Sequence, residues 1–112
     1  MNQRIENIIK ILDEKKAEEI QFFDMSKDEY FVDYVIIATT LGAKHSLALI
    51  DELKNQLKPQ KEEFLNVEIS DEWSVIDLGD IVIHLFDPAY RAKYNIEELL
   101  EQIKEMKEKA IY

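Results

Sequence analysis

The chain has 112 residues, 46% of them apolar and 34% charged, with two glycines, two prolines and no cysteine. That is enough hydrocarbon for one packed domain over residues 1–112, and the missing cysteine excludes disulfides, thiolate metal sites, iron–sulfur clusters and a cysteine nucleophile. Twenty-four acids against fourteen bases give a formal net charge of −10, a field that repels phosphate backbones, disfavours sequence-independent nucleic-acid binding and attracts basic proteins.

The opening run MNQRIENIIKILDEKK mixes acids and bases through its first turns, unlike a secretory signal, and no segment approaches the roughly 18 uninterrupted apolar residues of a membrane span. A soluble cytoplasmic protein is the expectation. Ile5, Ile8, Ile9 and Leu12 recur at helical spacing with Glu6, Asn7, Lys10 and Asp13 opposite, which predicts an amphipathic helix with Ile11 off its narrowest stripe. Glu19 to Asp24 reads as a strand, Met25 to Tyr30 as a turn, and Phe31 to Thr39 as a strand apolar on both faces and so covered on both.

Leu47, Ile50, Leu53 and Leu57 predict a second helix from about Ala43 to Lys58, stopped by Pro59. Gly42 can occupy its N-cap but offers no side-chain acceptor. In Phe64 to Ser70, Leu65, Val67 and Ile69 alternate with Asn66, Glu68 and Ser70, the pattern of a strand with one dry face. Trp73 to Asp77 and Ile81 to Phe86, separated by Leu78, Gly79 and Asp80, predict an antiparallel hairpin.

Asp87 before Pro88 signals a helix start, giving one short helix that carries Arg91. Asn95 begins another, with Glu98 as an approximate capping box, Tyr94 and Leu99 as a hydrophobic staple, and Ile96, Leu99, Leu100, Ile103 and Met106 as the apolar stripe. Ile111 and Tyr112 close the chain in a charged turn that frays in expectation. The order of elements predicts an α/β fold of α+β-like topology: a mixed, about five-stranded sheet with helices packed on it.

Chemistry is sparse. Gly42 and Gly79 are the only glycines, too few for a phosphate-binding loop. Asp77 and Asp80 form the nearest carboxylate pair for a metal-dependent nucleotidyl transferase, set against a plain role as solvent-facing acids shaping the hairpin turn. His84 shares its strand face with Val82 and Phe86, as a packed, hydrogen-bonded imidazole would. With His45 as the only other histidine, a zinc site is not expected. Trp73, the only tryptophan, is either a core or lid residue or a binding anchor. If the second hairpin strand runs back toward it, Arg91 and Tyr94 border the same surface.

The runs DYVIIATTLGAKHSLALIDEL and EWSVIDLGDIVIHLFDPAYRAKYNIEELL resemble the Iojap-like ribosomal silencing factor family over nearly the whole chain. The second run carries W-x-x-x-D-x-G-D, then V-x-H-x-F, then R-x-x-Y-x-x-E in the family's order. Asp33, Tyr34, Ala38, Thr39 and His45 match the first motif. Trp73, Asp77, Gly79, Asp80, His84, Phe86, Arg91, Tyr94 and Glu97 match the second. Thr40 stands where members usually have glycine, Gly42 where they have a cap serine and Leu100 where they have tryptophan, which puts contacts of that serine and that tryptophan in question and leaves the fold intact in expectation.

The resemblance implies a nucleotidyl transferase-like sheet without catalysis, no cofactor and no metal. It implies binding to a conserved protein on the joining face of the large ribosomal subunit, which blocks the small subunit and represses translation. The partner-binding residues it nominates are Trp73, Asp77, Leu78, Asp80, Arg91 and Tyr94, with an internal role organising acidic loops as the alternative for Arg91. The competing readings are a metal-dependent nucleotidyl transferase and a homodimeric adaptor.

Overall fold

The structure is a computed structural model that describes residues 2–28 and 30–110, with side chains described through residue 105. Met106, Ile111 and Tyr112, assigned above to a stripe and a terminal turn, lie outside the described side chains.

Helix α1 (Gln3–Glu14) starts at Asn2, whose side chain accepts from the Arg4 amide at 2.8 Å. Ile5, Ile8, Ile11 and Leu12 are buried, each worth about 1.5–3 kcal/mol of burial. Ile11 belongs to the core and Ile9 is only half-buried, reversing the expected stripe. The reason is tertiary: Ile11 belongs to the cluster that holds Leu49, Ile50, Leu53 and Leu57 of helix α2 (Ala43–Leu57), whereas Ile9 lines an open groove beside strand β1 (Glu18–Asp24).

Strand β1 pairs antiparallel with β2 (Tyr34–Thr39), with Phe22 opposite Ile36 and an irregularity between Glu18 and Gln21. β2 begins three residues later than its composition suggests. β1 ends at Asp24, the Asp33 carbonyl closes the loop onto the Met25 amide at 2.7 Å, and Phe31 is left 77% exposed.

Helix α2 (Ala43–Leu57) buries Ser46, Leu49, Ile50, Leu53 and Leu57 and leaves Leu47 partly exposed. The face is turned from the expected one because the Ser46 hydroxyl donates inward to Thr40 Oγ1 at 3.1 Å, and Leu49 follows it into the core. Gly42 caps without a side-chain bond, at φ 141°. His45 braces the turn ahead of the helix: Nδ1 accepts from the Leu41 amide at 2.9 Å, and Nε2 reaches the Lys15 carbonyl at 2.7 Å, tying the end of α1 to the start of α2. Beyond Leu57 the chain tightens into a 3₁₀ turn, Lys58–Gln60, around Pro59.

Strands β3 (Asn66–Glu68), β4 (Trp73–Asp77) and β5 (Ile81–Phe86) complete a sheet of order β1-β2-β5-β4-β3, antiparallel except for the β2–β5 pair. The predicted hairpin is β4–β5. Gly79 turns it at φ 97°, and its amide donates to Asp77 Oδ1 at 2.8 Å. β3 spans three residues rather than seven, and Leu65 and Ile69 are exposed rather than dry. As the edge strand it drives only Val67, opposite Ile76, toward the core.

Asp87 accepts from the Tyr90 amide and opens α3 (Pro88–Tyr94). Asn95, at φ 39°, ends α3 and begins α4 (Ile96–Ala110). Its amide serves the Arg91 carbonyl, so the Glu98 carboxylate takes the Asn95 side-chain amide instead, a variant of the predicted capping box. Leu100 is fully buried; Leu99 and Tyr94 are about half exposed, so Leu99 lies off the stripe. One core cluster joins α1 and α2 to the Ile36–Ile83 face of the sheet, and a second joins α4 to the Val35–Ile37–Val82–Phe86 face.

Candidate functional site

The cover over the second sheet face stops short. Trp73, Val75 and Asp77 alternate along β4 and so share one face, and their partners Phe86, His84 and Val82 on β5 lie beside them. Across β4, Glu68 pairs with Val75 and Asn66 with Asp77. Phe86, His84 and Val82 are buried, whereas Trp73, Val75 and Asp77 are half-buried and Glu68 and Asn66 are exposed. The β3–β4 end of this face is therefore an open apolar surface with a carboxylate rim.

Trp73 is its centre. Its ring stacks on Phe86 with centroids 5.2 Å apart and lies 5.8 Å from Tyr90 and 6.5 Å from Tyr94. Aromatic pairs of this kind add about 0.5–1.5 kcal/mol each beyond area burial. Its Nε1–H donates to His84 Nδ1 at 3.0 Å. That bond needs a neutral imidazole with the proton on Nε2, and burial supports it by pushing the His84 pKa down to about 4. His84 is thus the packed, bonded imidazole expected of its strand position, and a positioning group for Trp73.

The six residues nominated from sequence fall in three places. Trp73 and Tyr94 meet at the open surface. Asp77, Leu78 and Asp80 sit at the opposite end of the hairpin, where Leu78 is buried in the first core cluster and only the Asp77 end borders the open face. Arg91 does not border Trp73. It is 8% exposed on the other side of α3, where Nε donates to Glu97 at 2.6 Å and Nη1 donates to the Glu19 carbonyl at 2.8 Å and to Thr39 Oγ1 at 2.7 Å. Its work is internal, joining α3, α4, β1 and β2. Val75, Glu68 and Tyr90 were not nominated; period-two spacing from Trp73, hairpin register and the four-residue interval from Tyr94 were the available signals.

Asp77 and Asp80 do not converge on a metal. Asp77 is engaged with the Gly79 amide, while both Asp80 oxygens take Arg4, at 2.6 and 3.0 Å. Arg4 holds the Asp80 carboxyl below its usual range and also donates to both Glu62 oxygens. Among the described residues no cluster of three or more His, Asp or Glu side chains could hold a metal ion, and no helix is long and apolar enough to cross a membrane.

Residues 1–111 match the family model described as "Ribosomal silencing factor during starvation". The chain belongs to that family. It is 35% identical over 105 residues to the ribosomal silencing factor RsfS of Bacillus subtilis, covering 88% of this chain and 87% of that one. It is 25% identical over 100 residues to the mouse protein named mitochondrial assembly of ribosomal large subunit protein 1, covering 85% of this chain and 44% of that longer one. A crystal structure from Chromobacterium violaceum superposes with a TM-score of 0.81 at 31% identity, over 90% of this chain and 88% of that one. The mixed sheet with helices on both faces is thus shared with relatives of the silencing-factor family.

Proposed function

We propose that this chain is a ribosome-associated, non-enzymatic repressor of translation. It binds a conserved protein on the joining face of the large ribosomal subunit through the Trp73 surface, and its bulk there keeps the small subunit from docking. The observation that carries this reading is the half-exposed Trp73–Val75–Tyr94 patch, bordered by Glu68 and Asp77, at the β3–β4 end of the sheet face on which α4 packs. A rigid aromatic centre within an acidic rim suits a basic protein partner, the aromatic residues carrying affinity and the rim carrying steering. Asp80, Leu78 and Arg91 contribute by fixing the hairpin turn and α3. Family membership and the mouse relative's name support a large-subunit partner, and the cytoplasm is where this activity would be exercised.

The test is sedimentation with purified subunits. The protein should co-migrate with large subunits and lower the yield of joined ribosomes when small subunits are added. Trp73→Ala and Glu68→Lys, each confirmed folded, should bind at least tenfold more weakly. Failure to co-migrate overturns the function; unchanged binding by both variants overturns the site.

A further inference from the structure

A second open surface lies at the other edge of the sheet and on its other face. Between α1 and β1 runs a groove of about 630 Å³ with a floor of Ile9, Ala17 and Ile20 and a rim of Glu6, Asp13 and Glu19. Ile9 and Ile20 are half-buried against the first core cluster, as are Phe22 and Tyr34, whose rings stack at 5.9 Å and extend the apolar strip along the sheet. No described residue bonds the side-chain oxygens of Glu6, Asp13 or Glu19, and the one cation in the groove wall, Lys10, points toward Glu14 at 3.9 Å.

We propose that this groove docks an amphipathic helix of a basic protein, with aliphatic side chains on the floor and lysine or arginine against the rim. Three observations select that occupant. The rim carries three carboxylates against one ammonium already turned aside, so complementarity calls for cations. A second copy would bring its own net charge of −10 and is repelled. An added strand is blocked because the register of β1 breaks between Glu18 and Gln21, with Glu19 at φ 47°, which interrupts the row of backbone groups an incoming strand needs. A helix reads side chains instead, through anchors at i, i+3, i+4 and i+7. The groove and the Trp73 surface belong to different core clusters on opposite faces, so a chain held by one still presents the other.

The probe is a synthetic 18-residue helix with leucine at those anchor positions and lysine beside them, titrated into the full-length protein with amide shifts followed by NMR. An otherwise identical peptide with glutamate for lysine is the control. Shifts centred on Ile9, Ala17 and Ile20, at least tenfold weaker binding in Glu6→Lys/Asp13→Lys, and no binding of the glutamate peptide are expected. The Trp73 indole signal and large-subunit sedimentation should be unchanged in that double variant. Shifts centred on Trp73, shifts spread evenly over acidic residues, undiminished binding by the double variant, absence of binding at millimolar peptide, or groove shifts that grow with protein concentration alone each overturn the proposal. Because the large-subunit assay is read separately, loss of ribosome binding with an intact groove titration would indict the proposed function and leave this inference standing.

Discussion

Replacing His84 with asparagine should remove a defined part of the protein's acid sensitivity. Asparagine places an amide oxygen near the position of Nδ1, so it can still accept from Trp73 Nε1–H, but it does not titrate. In the wild type, burial lowers the folded His84 pKa to about 4 from its ordinary 6.5. Between those values the unfolded chain binds the proton and the folded chain does not. Stability is therefore fully present above about pH 6.5, falls as pH drops toward about 4, and falls no further on this account below that. The whole shift corresponds to about 3 kcal/mol, and the step from pH 7 to pH 5 to about 2 kcal/mol. Acids near the site, Glu68 and Asp77 on the same face and Glu72 before Trp73, and the relaxing net charge act on both proteins and cancel in the comparison. Urea unfolding at pH 5, 6, 7 and 8 measures it: the wild type should lose about 2 kcal/mol more than His84→Asn between pH 7 and 5. Parallel curves would refute the buried neutral imidazole. Trp73 emission offers an independent reading, with a native-state titration near pH 4 and none near 6.5.

Three further outcomes follow from the packing. Arg91→Met should cost about 3–5 kcal/mol in urea unfolding, because it strands Glu97 and the Glu19 carbonyl beside a buried site; a loss under 1 kcal/mol would mean that the clamp carries no weight. Asp80→Ala should cost only about 0.5–1 kcal/mol and less still at high salt, since Asp80 and Arg4 are each 38% exposed and screened and Arg4 keeps both Glu62 oxygens. Leu49→Ala should cost about 2–5 kcal/mol and Leu47→Ala much less, as thermal denaturation would show, despite their separation by two positions on one helix.

The hairpin was legible because its determinants are local: two β-prone runs, a Gly79 turn and a period of two. The same period and the hairpin register placed Val75 with Trp73, although neither Val75 nor Glu68 was read that way. What local pattern could not supply was how far a covering helix reaches. Leu65 and Ile69 alternate as a dry face should, yet β3 lies at the sheet edge and both are exposed. Ile9 and Ile11 traded places because α2 lies on one side of α1 and an open groove on the other. Arg91 and Tyr94 are three residues apart, yet Arg91 is drawn inward by Glu97, Thr39 and the Glu19 carbonyl, while Tyr94, one turn on from Tyr90, stays beside Trp73.

The polar groups at the open surface and in the hairpin turn and helix that support it share one property, which bears on how it would bind. His84 Nδ1 is taken by Trp73, Asp77 by the Gly79 amide, Asp80 by Arg4, and Arg91 by Glu97, Thr39 and Glu19. Each is fixed by its partner. Fixing them lowers the ordering cost that binding must otherwise meet. In the proposed complex, charge and contact would separate kinetically: the rim acids would raise the encounter rate, which salt suppresses, while the held indole would govern departure. Glu68→Lys should accordingly slow association with large subunits and flatten its salt dependence, and Trp73→Ala should chiefly hasten dissociation. Variants whose effects fell on the opposite rate constants would show that the aromatic centre and acidic rim do not divide the work in this way.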